Sequence, residues 1–359
     1  MIITNRIDDN TFNGKYYDVV DVFKQWMPKD FDFSNSTILD FGCEHGIMAL
    51  GFAMRLKPKK VIGVDIQKHH LDLLDIAKAR ININILPSNL EFYQIALAEK
   101  LSVKFKFKFD VIFAWSVFEH VSQLILDEVI ADLHNSLSDN GFVFLQITPL
   151  YYSPFGSHLE TLVDEPWAHL QMQNNVLHDV VMNKSKNATI YKAESNENYE
   201  AIKANIWSCY ETLNKITADE IIELFERNGS TMKREYRTKT AIQPPKNLCN
   251  IYSQEILQTD QVVVLFQKTK LVESPNTKTV LTCPQYGTGD AQIAEVNNGL
   301  QSKERALNME IRRKDAQLKE LYASISWRIT CPLRSVGKLL KFGKKTIHDL
   351  LLAEKESQR

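Results

Sequence analysis

The chain has 359 residues, enough for a full α/β domain with material to spare. Its formal net charge of −1 and pI near 6.8 exclude a bulk electrostatic pull toward nucleic acid or membrane. Five widely scattered cysteines, at 43, 209, 249, 283 and 331, show neither C-x-x-C spacing nor a compact framework, so reduced thiols in a cytosolic protein are expected. No apolar run approaches the roughly 18 residues that span a bilayer, and the first six residues lack the basic flank and apolar core of a leader.

Val19, Val20, Phe23 and Trp26 recur at helical spacing, which predicts a helix over 17–27 leading into a first strand at 37–41. A helix at 48–56, a strand at 61–65, a helix at 69–81 and a strand at 89–95 follow. The segment 109–115 is apolar on both faces, as a central parallel strand must be. A helix at 124–136 then runs through the Asp139-Asn140-Gly141 turn into a fifth strand at 142–147. Strands alternating with helices predict a parallel, doubly wound sheet. The Lys104-to-Phe109 alternation of lysine and phenylalanine reads as a half-buried strand entry, or as a strip for nucleic acid.

After Pro149 the regularity stops, and an aromatic, histidine-bearing segment is expected to form a lid or substrate-binding insertion at 151–210. The pattern resumes with a helix at 217–227, Thr217 as its N-cap and Gly229 just past its end. Residues 231–240 and 261–267 read as a closing pair of strands. The composition at 271–299 is that of a linker. Beyond it, Leu300, Leu307, Ile311, Leu318, Leu321 and Ile325 fit one heptad frame, interrupted by Glu304 and Lys314, and predict a short coiled coil at 300–326. In the tail at 327–359, Val336, Leu339, Leu340, Ile347, Leu350 and Leu351 oppose Lys338, Lys341, Lys344, Lys345 and His348 on a helical wheel. Residues 301–359 hold fourteen Lys and Arg against seven Asp and Glu, so this basic helix suits an anionic membrane surface or a partner helix.

The densest signal is Thr37-Ile38-Leu39-Asp40-Phe41-Gly42-Cys43-Glu44-His45-Gly46, followed some twenty residues later by a second apolar strand that ends on Asp65. This is the layout of a nucleoside-binding βαβ unit: glycines let backbone approach a ligand, and a carboxylate at the strand end can accept two ribose hydroxyls. G-x-G-x-x-G is absent, which disfavours a NAD-dependent oxidoreductase. For Asp65 alone a solvated strand end is the plainer reading, and any βα turn can need a glycine.

Other chemistry-bearing residues carry two readings as well. His120, in Glu119-His120-Val121 just past the fourth strand, is either a base or a packed helix-start histidine. His158 and His169, flanked by Asp164 and Glu165, are the other base candidates, because neutral imidazole suits proton removal near pH 7. The alternative is that they satisfy a lid whose core is made by the aromatics around them. Tyr151, Tyr152, Phe155 and Trp167 would suit stacking on a sugar's apolar face. No tight ligand spacing supports a metal site from His158, Asp164, Glu165 and His169, and none is expected.

Asp40-x-Gly42-x-x-x-Gly46 with Asp65 resembles the first motifs of class I S-adenosyl-L-methionine (SAM) dependent methyltransferases, with Glu44 at the family's middle glycine. Glu119-His120-Val121 resembles a tripeptide common after the fourth strand in small-molecule members. The resemblance covers 17–268 and implies a Rossmann-like seven-stranded methyltransferase sheet with an antiparallel sixth and seventh strand. It implies SAM as cofactor, with Asp40, Gly42, Cys43 and Gly46 at its methionine end, Asp65 at the ribose, Ile66 and Ala96 at the adenine, and Trp115 and Ser116 below the sulfonium. Ser324-x-Ser326-Trp327-Arg328-Ile329-Thr330-x-Pro332-Leu333-Arg334 resembles a tail of bacterial surface-polysaccharide enzymes. Together these imply a cytoplasmic sugar or glycan O-methyltransferase, peripheral at the inner face of the membrane and oligomeric through the coiled coil. A non-catalytic assembly module on a degenerate methyltransferase fold is the other expectation.

Overall fold

The computed structural model describes residues 7–185 and 196–269, with side chains from 199 onward in the second span. Its strands are β1 (Thr37–Phe41), β2 (Lys60–Asp65), β3 (Leu90–Gln94), β4 (Phe109–Trp115), β5 (Leu137–Ile147), β6 (Ser230–Lys239) and β7 (Thr259–Lys268). They form one sheet in the order β3-β2-β1-β4-β5-β7-β6. The chain enters at β1, steps outward through β2 to β3, then returns to lay β4 on the other side of β1. That reversal between β1 and β4 opens a crevice at the carboxyl edge, where doubly wound sheets bind ligands.

Alternation along β1 explains how the sheet is buried on both faces. Ile38 enters a layer shared with the N-terminal helices and Phe52, and Leu39 enters the opposite layer with Ile130, Ile221 and Phe225. Phe23 meets Phe52, Phe113 and Phe144 within 5.5 Å between ring centroids, which fastens the N-terminal helix over the centre of the sheet. On the other side, the helix Ala218–Arg227 starts in a capping box, with the Thr217 side chain and Glu220 bonding each other's backbone N–H groups.

The sixth and seventh strands pair antiparallel, as the resemblance implies, while other expectations need correction. β1 to β5 run parallel, and β7 is antiparallel to both β5 and β6, so β6 runs with the first five and only one strand is reversed. β7 slots between β5 and β6 and pairs antiparallel with both, after a connection at 240–258 that carries the short helices Lys246–Cys249 and Gln254–Gln258. Residues before β4 are not a strand entry: Leu101–Lys104 is a helical turn, and Phe105 and Phe107 fold back on Phe109 at 5.4 and 5.5 Å. β5 begins at Leu137, five residues before the expected start, because Leu137 still pairs with Phe109 across an irregularity at Asn140, where φ is 64°.

The N-terminal helix also starts early, at Asp9, with the Asp8 side chain accepting the Thr11 N–H at 2.7 Å. It carries a π-helical turn at Gly14–Asp18 before continuing as Val19–Trp26. The expected irregular insertion contains helices Ala168–Gln171, Asn174–Asn183 and Asn196–Glu211 around a core of its own, Leu159, Leu162, Leu177, Val181, Ile202 and Trp207 among its members. Among the described residues no helix is long and apolar enough to cross a membrane. The expected linker, coiled coil and basic tail lie outside the described residues.

Candidate cofactor and active site

The turn after β1 is built from left-handed backbone. Gly42, Glu44 and Gly46 have φ of 77°, 50° and 75°, so Glu44 adopts the conformation that a glycine would take at that position. The Gly42 and Cys43 N–H groups donate to the Val64 carbonyl at 2.9 and 3.1 Å, which pins the turn against the end of β2. A side chain at residue 42 would come within 2.4 Å of the Val117 Cγ2 atom, so Gly42 also allows the β1 and β4 loops to close on each other. Asp65 orients the turn: its Oδ2 accepts the Glu44 N–H at 2.9 Å and its Oδ1 accepts the Gln67 N–H at 2.7 Å.

Three carboxyl groups meet here. Asp40 is fully buried, and neither of its oxygens makes a hydrogen bond of ordinary geometry. Burial, with Asp65 adding to it, pushes the Asp40 carboxyl up to about 7 against the pull of Lys15 and the Ala49 backbone. Burial also raises Asp65, less the stabilisation from the Gln67 and Glu44 N–H groups. Burial alone would raise Glu44 too, but Lys15 and His45 override it and hold Glu44 well below the usual carboxylate range. Lys15 Nζ donates to Glu44 Oε2, and His45 Nδ1 lies 3.3 Å from Glu44 Oε1. Beyond them His45 stacks on His69 at 5.2 Å and His70 on Phe92 at 5.1 Å, walling the crevice along β2 and β3.

The other wall follows β4. Ser116, at φ 50°, donates its N–H to the Gln146 carbonyl and its hydroxyl to the Gln146 side chain, both at 2.9 Å. Trp115 stacks parallel to Phe113 at 6.0 Å. Next comes the turn Phe118–His120, where the His120 ring meets His158 edge to face with centroids 5.2 Å apart. Two of the three predicted base histidines thus come together from segments nearly forty residues apart. His158 is itself left-handed, at φ 59°. Asn214 joins the insertion to this turn, donating its side-chain N–H to the Phe118 and Val121 carbonyls at 3.3 and 3.2 Å and its backbone N–H to the Glu119 carbonyl at 3.0 Å.

His169 has a different setting. It is buried, with Nε2 2.7 Å from the Tyr151 carbonyl, and burial pushes it down to about 4, so it is a neutral part of the insertion's framework. Trp167 is 1 % exposed, packs on Leu248 and Leu257, and donates its indole N–H to the Tyr152 carbonyl at 3.0 Å. Tyr151 is buried too, under Lys215 Nζ at 5.3 Å from its ring centre. Of the four aromatics expected to stack on substrate, these two belong to the interior, and Tyr152 and Phe155 keep partial exposure. Cys43 is likewise buried and can offer a ligand only its backbone. Asp164 and Glu165 are exposed, and among the described residues no group of three His, Cys, Asp or Glu could hold a metal. Lys15 and Asn214 were missed by sequence reasoning. Lys15 leaves a trace there: it falls between Phe12 and Val19 on the apolar face of its helix, where a lysine requires a partner.

A family model described as a methyltransferase domain matches residues 15–233, well over half of the chain. The chain belongs to that family. No curated protein matches it. Among solved structures, magnesium protoporphyrin IX methyltransferase from Synechocystis PCC 6803 with bound SAH shares 12% identity, covering 75% of this chain and 88% of its own, at a TM-score of 0.39. A S-adenosylmethionine-dependent methyltransferase from Clostridium acetobutylicum ATCC 824 shares 11%, covering 71% and 92%, at 0.42. Another from Mesorhizobium loti shares 12%, covering 69% and 96%, at 0.39. With its seven-stranded Rossmann-like sheet, this methyltransferase is of class I, and SAM is its cofactor.

The residues of the crevice fit that cofactor. Asp40, Glu44 and Asp65 meet at the turn, with Lys15 beside Asp40 and Glu44, and this surplus of carboxyl groups suits a ligand bearing a positive sulfonium and ammonium. Each Asp65 oxygen accepts one backbone N–H, and a carboxylate oxygen has a second lone pair for a ribose hydroxyl. Ile66 is half-buried and bridged to the next strand by the Gln94 side chain at 2.9 Å, and Ala96 is exposed beside it, so both are open to a base. Asp65→Ala is expected to weaken SAM binding by roughly 1.5–3 kcal/mol, the range for hydrogen bonds to a charged group, with the fold retained. Calorimetric titration with SAM checks this, and unchanged affinity in the folded variant would take Asp65 out of the cofactor site.

Proposed function

We propose that this methyltransferase O-methylates a hydroxyl of a sugar, in a nucleotide sugar or a lipid-linked glycan used in bacterial surface-polysaccharide assembly. The observation that carries the reaction type is the His120–His158 pair at the carboxyl edge of the sheet, beside the loop after β4. SAM supplies an electrophilic methyl group, and the acceptor must lose a proton as its oxygen bonds to that carbon and the carbon–sulfur bond breaks. An imidazole of the pair takes that proton, since neutral histidine is a base matched to pH 7. Asn214 fixes the His120 turn against the insertion, so that the two rings hold one geometry as acceptor enters. Tyr152 and Phe155 offer partly exposed aromatic faces of the kind that pack on a sugar ring.

The sugar assignment is supported by the resemblance of residues 324–334 to the tail of surface-polysaccharide enzymes. The test supplies SAM labelled in its methyl group together with panels of nucleotide sugars, lipid-linked glycans, small phenols and carboxylic acids. Label in a sugar-containing product, with loss of a hydroxyl proton confirmed by product analysis, is the expected result. Label confined to a phenol or a carboxylate would replace the sugar, and an enzyme that binds SAM yet labels nothing would favour a non-catalytic module.

A further inference from the structure

A charged residue in the glycine turn needs an explanation, because φ of 50° at Glu44 is backbone that L side chains rarely adopt. The side chain cannot relieve this by turning into solvent at will. Its carboxylate is held by Lys15, and the two side chains are 16% and 10% exposed. Lys15 lies within the π-helical turn Gly14–Asp18, so the wide turn decides where its ammonium falls. A second π-helical turn, Phe52–Leu56, lies on the helix that follows the glycine turn, and it is clamped onto the first. Arg55 spans the two: Nη1 donates to the Tyr16 and Tyr17 carbonyls at 3.3 and 2.8 Å, and Nη2 to Asp21 at 2.8 Å. A side chain at Gly51 would lie 2.8 Å from the Tyr16 carbonyl, so the helices touch backbone to backbone. π-Helical turns recur at functional sites, and here the pair aims one buried cation at one strained residue of the cofactor turn.

We propose that Lys15 is a positioning residue for SAM: by pairing with Glu44 it holds the turn between β1 and the next helix in its left-handed, cofactor-ready form. The reasoning rests on SAM being the cofactor of this crevice. Without Lys15, three carboxyl groups would share the turn with only His45 beside Glu44, and the weakened hold on Glu44 is expected to let it swing outward and carry its N–H away from Asp65. A glycine at residue 44 needs no such partner, because it takes positive φ freely and brings no charge.

The experiment is titration of the purified full chain with SAM and with S-adenosylhomocysteine, followed calorimetrically, alongside circular dichroism. Lys15→Met is expected to weaken both ligands by about tenfold or more, the equivalent of one strained, misplaced turn residue. Adding Glu44→Gly to Lys15→Met is expected to bring affinity back to within about threefold of the parent, whereas a merely structural lysine would not be rescued by a change at a residue other than itself. Parental affinity in Lys15→Met overturns the proposal. So does a folded double variant as weak as the single one, a result that would place Lys15 in direct contact with the cofactor. Should Lys15→Met fail to fold, the double variant decides: folding with near-parental affinity supports the latch, and failure to fold or to bind refutes it. If the parent chain itself binds neither ligand, the SAM assignment falls, an outcome distinct from all of these.

Discussion

Trp167→Ala is expected to destabilise the domain by about 3–5 kcal/mol, the usual cost of emptying a large aromatic site in a core, while leaving the SAM affinity of the folded protein unchanged. The indole is 1 % exposed and lies against Leu248 and Leu257, which belong to the connection between β6 and β7. Its N–H satisfies the Tyr152 carbonyl at 3.0 Å, so truncation leaves both a cavity and a carbonyl without its donor. Trp167 therefore joins the insertion to the reversed end of the sheet, and its removal should loosen that junction. Urea unfolding gives the stability change. A variant that loses under about 1 kcal/mol but shows a raised acceptor KM would return Trp167 to the substrate site and count against the interior role.

The parts of this molecule that were legible in its sequence are those governed by local periodicity. β4 is apolar on both faces and therefore stands out as a central strand, and its observed bounds are those expected from that run. Thr217 and Gly229 announce the helix Ala218–Arg227 because caps are local signals, and the structure adds Glu220 to the cap as a capping box. The glycine turn and Asp65 are close enough in sequence to be recognised as one unit, and the structure joins them through the Glu44 N–H. What stayed hidden depends on distant contacts. Nothing local says that Trp167 will face Leu248 rather than a sugar, nor that Lys15 will reach Glu44 across 29 positions. The helices Asn174–Asn183 and Asn196–Glu211 were not anticipated, because their polar residues obscure the apolar stripe and their core is assembled only against each other. Glu44 looked like a defect in a glycine motif, yet its φ of 50° keeps the motif's backbone, which speaks against a degenerate turn.

The histidine pair provides the sharpest test of catalysis. If His158 takes the acceptor proton, His158→Ala should depress turnover by about a hundredfold or more, the scale of general base catalysis, with SAM affinity nearly unchanged. His120→Ala separates two arrangements that the 5.2 Å edge-to-face contact allows. When His120 only props the His158 ring, its loss should cost less than that of His158, and the double variant should be no worse than His158→Ala alone, because the prop has nothing left to orient. When His120 is the base, the larger loss moves to His120→Ala and the same non-additivity holds with the roles exchanged. His169→Ala is the control. Its ring is buried and bonded to the Tyr151 carbonyl, so its loss should register in urea unfolding far more than in turnover measured well below the unfolding midpoint. Full turnover in both His120→Ala and His158→Ala would remove the pair from the chemistry and leave proton removal to another group at the carboxyl edge.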